Sequence, residues 1–301
     1  MEVAGNIQER MREKSHAALS SVFAAVGLTG IKIVVGIATG SLGILAEAAH
    51  SGLDLIAALM TFLAVKISDK PADHNHQYGH GKVENLSALF ETLLLLVTCG
   101  WITYEAIHRL TVKHVDISVT FWSFLVMGLS ILVDASRSRM LSRAAKKHNS
   151  QALEADALHF STDIWSSAVV ILGLVCVIVA RHAPQISFLR EADSIAAICV
   201  VLIVIYVSVR LGIKTIQALL DTAPKGMEDR IRNIVESLPG VIDCHKIRMR
   251  YSGAKLFIDI HVIVNGEQSL KSAHDLTDEI EKKIESIVPD VDITVHPEPS
   301  I

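Results

Sequence analysis

Residues 46–54, Ala46-Glu-Ala-Ala-His50-Ser-Gly-Leu-Asp54, place an imidazole and a carboxylate inside an otherwise apolar stretch. Residues four apart lie on the same face of an α-helix, so His50 and Asp54 point in one direction. A charged side chain within a membrane helix costs about 2.5 to 3.5 kcal/mol on insertion scales, and it therefore indicates a functional site. The stretch predicts a membrane helix that presents a polar pair to its neighbours.

The same pattern occurs a second time, in residues 156–163, where His159 and Asp163 are also four apart. Two facing helices would supply two imidazoles and two carboxylates, a set that suits a tetrahedral divalent ion of borderline softness, above all zinc. An acid precedes each histidine by three residues, Glu47 before His50 and Asp156 before His159. We expect these acids to accept the free ring N–H of the ligating histidine, or else to be helix-terminal acids that face water.

The composition places the pattern in a membrane. Half of the 301 residues are hydrophobic and a fifth are charged, and the mean hydropathy of +0.42 is too high for an ordinary soluble domain. About 20 apolar residues span a bilayer as a helix. Six such stretches are predicted, at residues 17–39, 42–66, 83–108, 119–141, 152–180 and 192–218.

Charge and cysteine content exclude other classes of protein. The formal net charge of -4 provides no chain-wide basic field, so a nucleic-acid partner is not expected. The four cysteines are far apart and form no CxxC pair, which indicates core residues rather than a disulfide framework. Lys and Arg in the short loops lie mostly on the side of both termini, which predicts that the N and C termini are cytosolic.

The composition becomes charged and amphipathic after residue 220. Helical periodicity at 227–238 and 269–288 and strand-like runs at 241–251, 255–264 and 291–296 predict an α-β-β-α-β domain. The chain is thus expected to have three parts: a cytosolic N-terminal segment (1–16), a six-span all-α transmembrane domain (17–220), and a cytosolic α+β domain (221–301).

The motifs together resemble the cation diffusion facilitator family of divalent-metal transporters. The resemblance rests on residues 45–54, the loop 71–82 (Pro-Ala-Asp-His-Asn-His-Gln-Tyr-Gly-His-Gly-Lys), the pair His159 and Asp163, and residues 219–224 (Leu-Leu-Asp-Thr-Ala-Pro). It implies a ferredoxin-like fold for the C-terminal domain and a transport site formed by the four membrane ligands. A histidine at position 50 resembles the zinc-preferring pattern, whereas an aspartate there marks members that use iron or manganese.

The resemblance also implies features outside the membrane. It places a second metal in the loop, on Asp73, His76 and His80, where the alternative is a solvated loop with incidental histidines. It suggests an ion pair between Lys82 and Asp221. It implies a regulatory metal centre at the interface of a homodimer, which in this sequence would comprise His245, His261, His274, His296 and Glu298. Some relatives carry Asp where this chain has Glu298, and His261 and His274 could equally be ordinary surface residues.

These features predict a transporter and not an enzyme. An ion leaving two carboxylates and two neutral imidazoles would expose uncompensated charge, so protons are expected to replace it. No phosphate-binding loop is present, and a nucleotide is not expected to drive transport. An intramembrane metalloenzyme is the alternative, but the chain lacks any His-Glu dipeptide and hence HExxH. The sequence leaves the metal open among zinc, cadmium, cobalt and iron, and it is most consistent with a bacterial inner-membrane exporter.

Overall fold

The computed structural model describes residues 2–40, 42–111, 121–182, 192–288 and 290–300. Six long helices precede a small α+β domain. The long helices are α1 (Glu2–Thr39), α2 (Leu42–Ser68), α3 (Lys82–Thr111), α4 (Phe121–His148), α5 (Gln151–His182) and α6 (Ala192–Leu219). The C-terminal domain comprises α7 (Met227–Glu236), β1 (Val241–Ser252), β2 (Lys255–Val264), α8 (Leu270–Glu285) and β3 (Val291–Pro299).

Four of the long helices are apolar enough to cross a membrane over their described residues. These are α1, α2, α3 and α6. Helix α4 ends in a strongly basic segment, with Arg137, Arg139, Arg143, Lys146 and Lys147 in its second half. Six helices are therefore present where six spans were predicted, and the membrane-spanning role of α4 and α5 stays a prediction.

Small side chains let four of the helices approach closely. Helix α1 packs against α2, and α4 packs against α5. Their shared core is rich in alanine, which allows close backbone contact in an environment without a strong hydrophobic driving force. Its buried members include Ala18, Ala58, Ala145, Ala152 and Phe160. Helices α3 and α6 form a separate pair beside this bundle, packed around Cys99, Val201 and Val204.

The C-terminal domain has the predicted α-β-β-α-β order. Its sheet order is β1-β2-β3, with β1 and β2 antiparallel and β2 and β3 parallel. Alternate residues of the central strand, Ile258, Ile260 and Val262, are buried against Ile280 and Ile284 of α8. The outer face of the sheet is left available for polar side chains, as the period-two pattern of β2 predicts.

A bulge in β1 determines which of its side chains reach that outer face. The pairing register with β2 shifts between His245 and Arg248, and Lys246 adopts a positive φ of 49°. Because of the extra residue, Cys244 and Met249 are both buried although they are five residues apart. His245 is consequently directed outward, directly across from His261 on β2.

A buried charge cluster joins α1, α2 and α3 at the end nearest the C-terminal domain. Lys14 Nζ lies 2.7 Å from Asp69 and 2.5 Å from Glu84, and the Lys14 and Glu84 side chains are almost completely buried. The Ser150 hydroxyl, at the start of α5, donates to the other oxygen of Glu84 at 2.5 Å. Replacing Lys14 with a neutral residue would therefore leave two buried carboxylates without their counter-ion.

Two glycines bring the C-terminal domain against the start of α3. A Cβ on Gly81 would overlap the backbone carbonyl of Ser252, in the β1–β2 turn. Gly253 in that turn has a φ of +62°, and its N–H donates to the Asn85 side chain of α3 at 3.1 Å. The absence of a side chain at position 81 is what allows this contact.

We predict that Gly81→Ala destabilises this junction by about 1 to 3 kcal/mol, because the added methyl forces the turn away from α3. Hydrogen exchange should show faster exchange at the Gly253 amide. Gly100→Ala is the matched control, since a Cβ at that α3 position meets nothing within 4 Å. Unchanged exchange in Gly81→Ala would contradict the contact.

Candidate metal centres

The first candidate centre lies between α2 and α5. His159 Nε2 lies 3.1 Å from Asp54 Oδ1 and 3.6 Å from Asp163 Oδ2. His50 Nε2 lies 3.9 Å from an oxygen of Asp54 and 3.9 Å from one of Asp163. The ligand atoms of His50, Asp54 and Asp163 lie within 4.8 Å of one another. Ligand atoms about 2.0 Å from a tetrahedral zinc ion are about 3.3 Å apart, so these three residues form a candidate cluster for a divalent ion, and His159 contacts both of its carboxylates.

The ligands differ in accessibility. The His159 side chain is only 6% exposed, whereas that of His50 is 41% exposed. Asp54 and Asp163 are intermediate, at 12% and 15%. The centre is therefore shielded from solvent at His159 and accessible to solvent at His50.

The sequence predicts that Glu47 and Asp156 accept from the ring N–H groups of His50 and His159, or else face water. The Glu47 side chain lies outside the described part of the structure. Asp156 is fully buried, and its Oδ2 accepts from the Ser21 hydroxyl of α1 at 3.4 Å. His159 Nδ1 has no hydrogen-bond partner among the described residues, so the expected bond to Asp156 is not formed. The other carboxylate oxygen of Asp156 likewise has no hydrogen-bond partner among the described residues.

Glu91 of α3 is a further buried acid in this part of the helix bundle. It is completely buried, and one of its oxygens accepts from the Thr61 hydroxyl of α2. Its other oxygen has no partner among the described residues. Glu91 lies close enough to Asp156 and His159 for charge interactions with both. The sequence feature that points to such a residue is an acid in the middle of a predicted membrane span.

Arg137 of α4 provides positive charge beside the same centre. It pairs with Asp134 at 3.3 Å and donates to the Ser21 hydroxyl at 3.0 Å. Its guanidinium lies 3.4 Å from the centroid of the Phe160 ring, which in turn packs edge-to-face on His159. The buried cation is thus hydrogen-bonded and stacked, as its burial requires.

The second candidate centre is in the loop between α2 and α3. Asp73 lies 3.3 Å from His76 Nδ1 and 3.4 Å from His80 Nε2. The backbone N–H groups of His76 and Asn75 donate to Asp73, and the first of these bonds is the main cause of a lowered pKa for that carboxyl. Asp73 is therefore ionised at neutral pH and available to a cation.

This loop is packed on the C-terminal domain. Tyr78 contacts Phe257 of β2 edge-to-face, with ring centroids 5.4 Å apart, and Arg250 of β1 lies 4.1 Å from the Tyr78 ring centroid. Lys82 Nζ lies 2.8 Å from Asp221 Oδ1, so the structure forms the expected ion pair between the start of α3 and the residues after α6. The loop centre is consequently attached to both parts of the chain.

The third candidate centre is a row of histidines across the sheet. His245, His261 and His296 are paired neighbours on β1, β2 and β3. Glu298 joins them: it lies 2.7 Å from His261 Nδ1, 3.2 Å from His245 Nε2 and 3.9 Å from His296 Nε2. The hydrogen bond from His261 is the main cause of a lowered pKa for Glu298.

His274 is the one predicted member that the protomer does not bring to this row. It lies on α8, its side chain is 72% exposed, and its nearest acidic partner is Asp278 at 3.8 Å. The Glu298 side chain reaches all three histidines, at 2.7 Å from His261, 3.2 Å from His245 and 3.9 Å from His296. The histidine row with Glu298 therefore offers nitrogen and oxygen ligands of the types that zinc binds.

Comparisons with known proteins agree with this architecture. A protein-family model described as the cation efflux transmembrane domain matches residues 18–220, and one described as the cation efflux protein, cytoplasmic domain, matches residues 223–300. The cation-efflux pump FieF of Yersinia enterocolitica is 32% identical over 287 residues, covering 94% of this chain and 92% of that protein. The FieF pump of Yersinia pestis is 33% identical over 290 residues, with the same coverage.

Among solved structures, the metal-bound C-terminal domain of the CzcD transporter from Thermotoga maritima is 39% identical. The match covers 24% of this chain and 86% of the CzcD domain, with a TM-score of 0.24. The two family models together extend over nearly the whole sequence, and the relatives match along most of their length. The chain belongs to the cation diffusion facilitator family, whose members are membrane transporters for cation efflux and not enzymes.

Proposed function

We propose that this protein exports a divalent transition metal, zinc above all, from the cytosol in exchange for protons. The observation that carries the proposal is the convergence of two imidazoles and two carboxylates from α2 and α5, with the His159 to Asp54 distance at 3.1 Å. The bound ion is the transported substrate. The proposal places six spans in a bacterial inner membrane, with both termini in the cytosol.

The donor set supports zinc as the substrate. Imidazole nitrogen and carboxylate oxygen together suit zinc and its neighbours cobalt and cadmium, whereas hard magnesium prefers six oxygen ligands. His50 supplies the second nitrogen, and a carboxylate at that position would shift the site toward harder ions such as manganese. The choice of metal therefore depends on position 50.

Charge balance supports the exchange for protons. Two neutral imidazoles and two carboxylates carry a charge of about -2, which a divalent ion neutralises. Once the ion leaves, that charge remains among buried helices, where it is costly unless protons bind. Metal and protons thus compete for one site, and alternating exposure of the site to the two sides of the membrane would couple their movements.

The loop and sheet centres are proposed as regulatory metal sites. Asp73, His76 and His80 lie where the loop meets the C-terminal domain, and the row formed by His245, His261, His296 and Glu298 lies on the open face of the sheet. An open face is available to a second protomer, so a homodimer would place two such rows near one another. Metal bound there would cross-link the domains and favour an active arrangement.

Asp54→Asn and Asp163→Asn should each reduce zinc transport by about 100-fold or more, since even the outer partners of metal ligands contribute 10- to 100-fold. The substitutions keep the side-chain size, so folding should be retained. Flux into sealed vesicles measures the effect. Glu154→Gln, an exposed acid of α5, is the control. Undiminished flux in either aspartate variant would refute the proposed transport site.

His50→Asp should lower the ratio of zinc to manganese transport by about tenfold or more, because a carboxylate in place of imidazole makes the site harder. Competition transport with both metals present provides the measurement. An unchanged preference would mean that residues other than His50 determine which metal is carried.

His261→Ala should raise the zinc concentration needed for half-maximal transport by about tenfold while leaving the maximal rate within about twofold, because it removes one regulatory ligand. His274→Ala is the matched control, as an exposed histidine of the same domain outside the row. Equal behaviour of the two variants would argue against a metal centre on the sheet.

A further inference from the structure

A large groove runs between α1 and α4 on the side of the molecule that carries the C-terminal domain. It has a volume of about 1160 Å³ and is lined by α1 residues between 9 and 20 and α4 residues between 132 and 147. We call it the α1–α4 groove. It lies in the α1-α2-α4-α5 bundle and not in the α3–α6 pair, and none of the three candidate metal centres contributes to its lining.

The groove carries excess positive charge. Arg12, Arg139 and Arg143 line it, and no carboxylate lies within ion-pair distance of these three among the described residues. Lys147 also lines the groove, but it is neutralised by both oxygens of Glu13, at 2.7 and 2.6 Å. Glu9 is the remaining acid of the lining.

Two of these arginines are one helical turn apart on the same face of α4. Like charges at positions i and i+4 repel each other, so Arg139 and Arg143 destabilise the helix unless an anion lies between them. Guanidinium groups recognise phosphate oxygens through paired hydrogen bonds. The arginine pair is therefore suited to a phosphodiester.

The lining of the groove beyond the arginines combines apolar and small polar side chains. The apolar ones are Ala17, Leu132, Ala135, Met140 and Ala144, and Ser20 and Ser136 lie among them. Leu132 lies eleven residues before Arg143 on the same helix, a distance of roughly 16 Å along the axis. That length accommodates much of an acyl chain in one leaflet of a bilayer whose hydrocarbon core is about 30 Å thick.

We propose that the α1–α4 groove binds an anionic phospholipid, with the phosphodiester on Arg139 and Arg143 and an acyl chain against the apolar side chains of the lining. The combination of these two arginines with neighbouring apolar side chains favours a lipid over free phosphate, which would gain nothing from the apolar contacts. It also favours an anionic headgroup over a zwitterionic one, because the excess charge of the groove is positive.

The test uses the delipidated full-length protein in a neutral detergent. Phosphatidylglycerol and phosphatidylcholine with identical acyl chains are titrated separately, and bound lipid is counted by native mass spectrometry. The protein should bind phosphatidylglycerol roughly thirtyfold more tightly than phosphatidylcholine, as two basic residues at an anionic surface predict. Arg139→Gln with Arg143→Gln should abolish that preference and leave phosphatidylcholine binding unchanged.

Two further variants distinguish lipid binding in the groove from attraction of lipid by other surface cations. Arg139→Lys with Arg143→Lys should retain a preference for phosphatidylglycerol, and it controls for loss of folding. Lys66→Gln with Arg210→Gln removes two exposed cations outside the groove and should leave the preference intact. Equal affinity for both lipids in the unmodified protein, an equal loss in the Lys66 and Arg210 variant, or displacement of phosphatidylglycerol by equimolar inorganic phosphate would overturn the proposal.

Discussion

Two carboxylates and two imidazoles that meet between α2 and α5 impose the main physical constraint on this molecule. His159 contacts Asp54 at 3.1 Å, and the His159 side chain is only 6% exposed. Their charge must be balanced in every state, because an uncompensated buried charge costs several kcal/mol. The alanine-rich packing that brings α2 near α5, and the Arg137 guanidinium stacked on Phe160, both serve this requirement.

The same bundle is tied to the C-terminal domain by contacts of a different kind. The backbone of Ser252 lies against Gly81, which has no side chain to separate them, and Lys82 pairs with Asp221. Tyr78 contacts both Arg250 and Phe257. The loop with Asp73 and His80 lies within this junction. A metal bound in the loop would therefore affect a contact between the two parts of the chain, which gives the proposed regulation a direct physical route.

Local patterns in the sequence predicted much of this structure. The HxxxD spacing is a property of one helix, and its repetition on a second helix predicts a polar cluster between α2 and α5. The period-two pattern of β2 likewise predicted that Ile258 and Ile260 are buried while His261 faces outward. The α-β-β-α-β order followed from periodicity and turn residues and is confirmed.

Features that depend on contacts between distant segments could not be predicted in this way. The bulge at Lys246 aligns His245 with His261, and the hydrophobic periodicity of the sequence does not predict it. Lys14 gave no sign that it pairs with Asp69 and Glu84, because such a cluster depends on how three helices cross. Asp156 was expected either to accept from His159 or to face water, whereas it is buried and its carboxylate accepts from Ser21 on another helix.

The central claim, exchange of a divalent metal for protons at one site, is tested most directly by following both ions together. Purified protein is reconstituted in sealed vesicles that contain a zinc indicator and a pH indicator. With an acidic interior, zinc entry should accelerate and be accompanied by proton exit, and both movements should vanish in Asp54→Asn. Zinc entry that is unaffected by the pH gradient and accompanied by no proton movement would contradict the account.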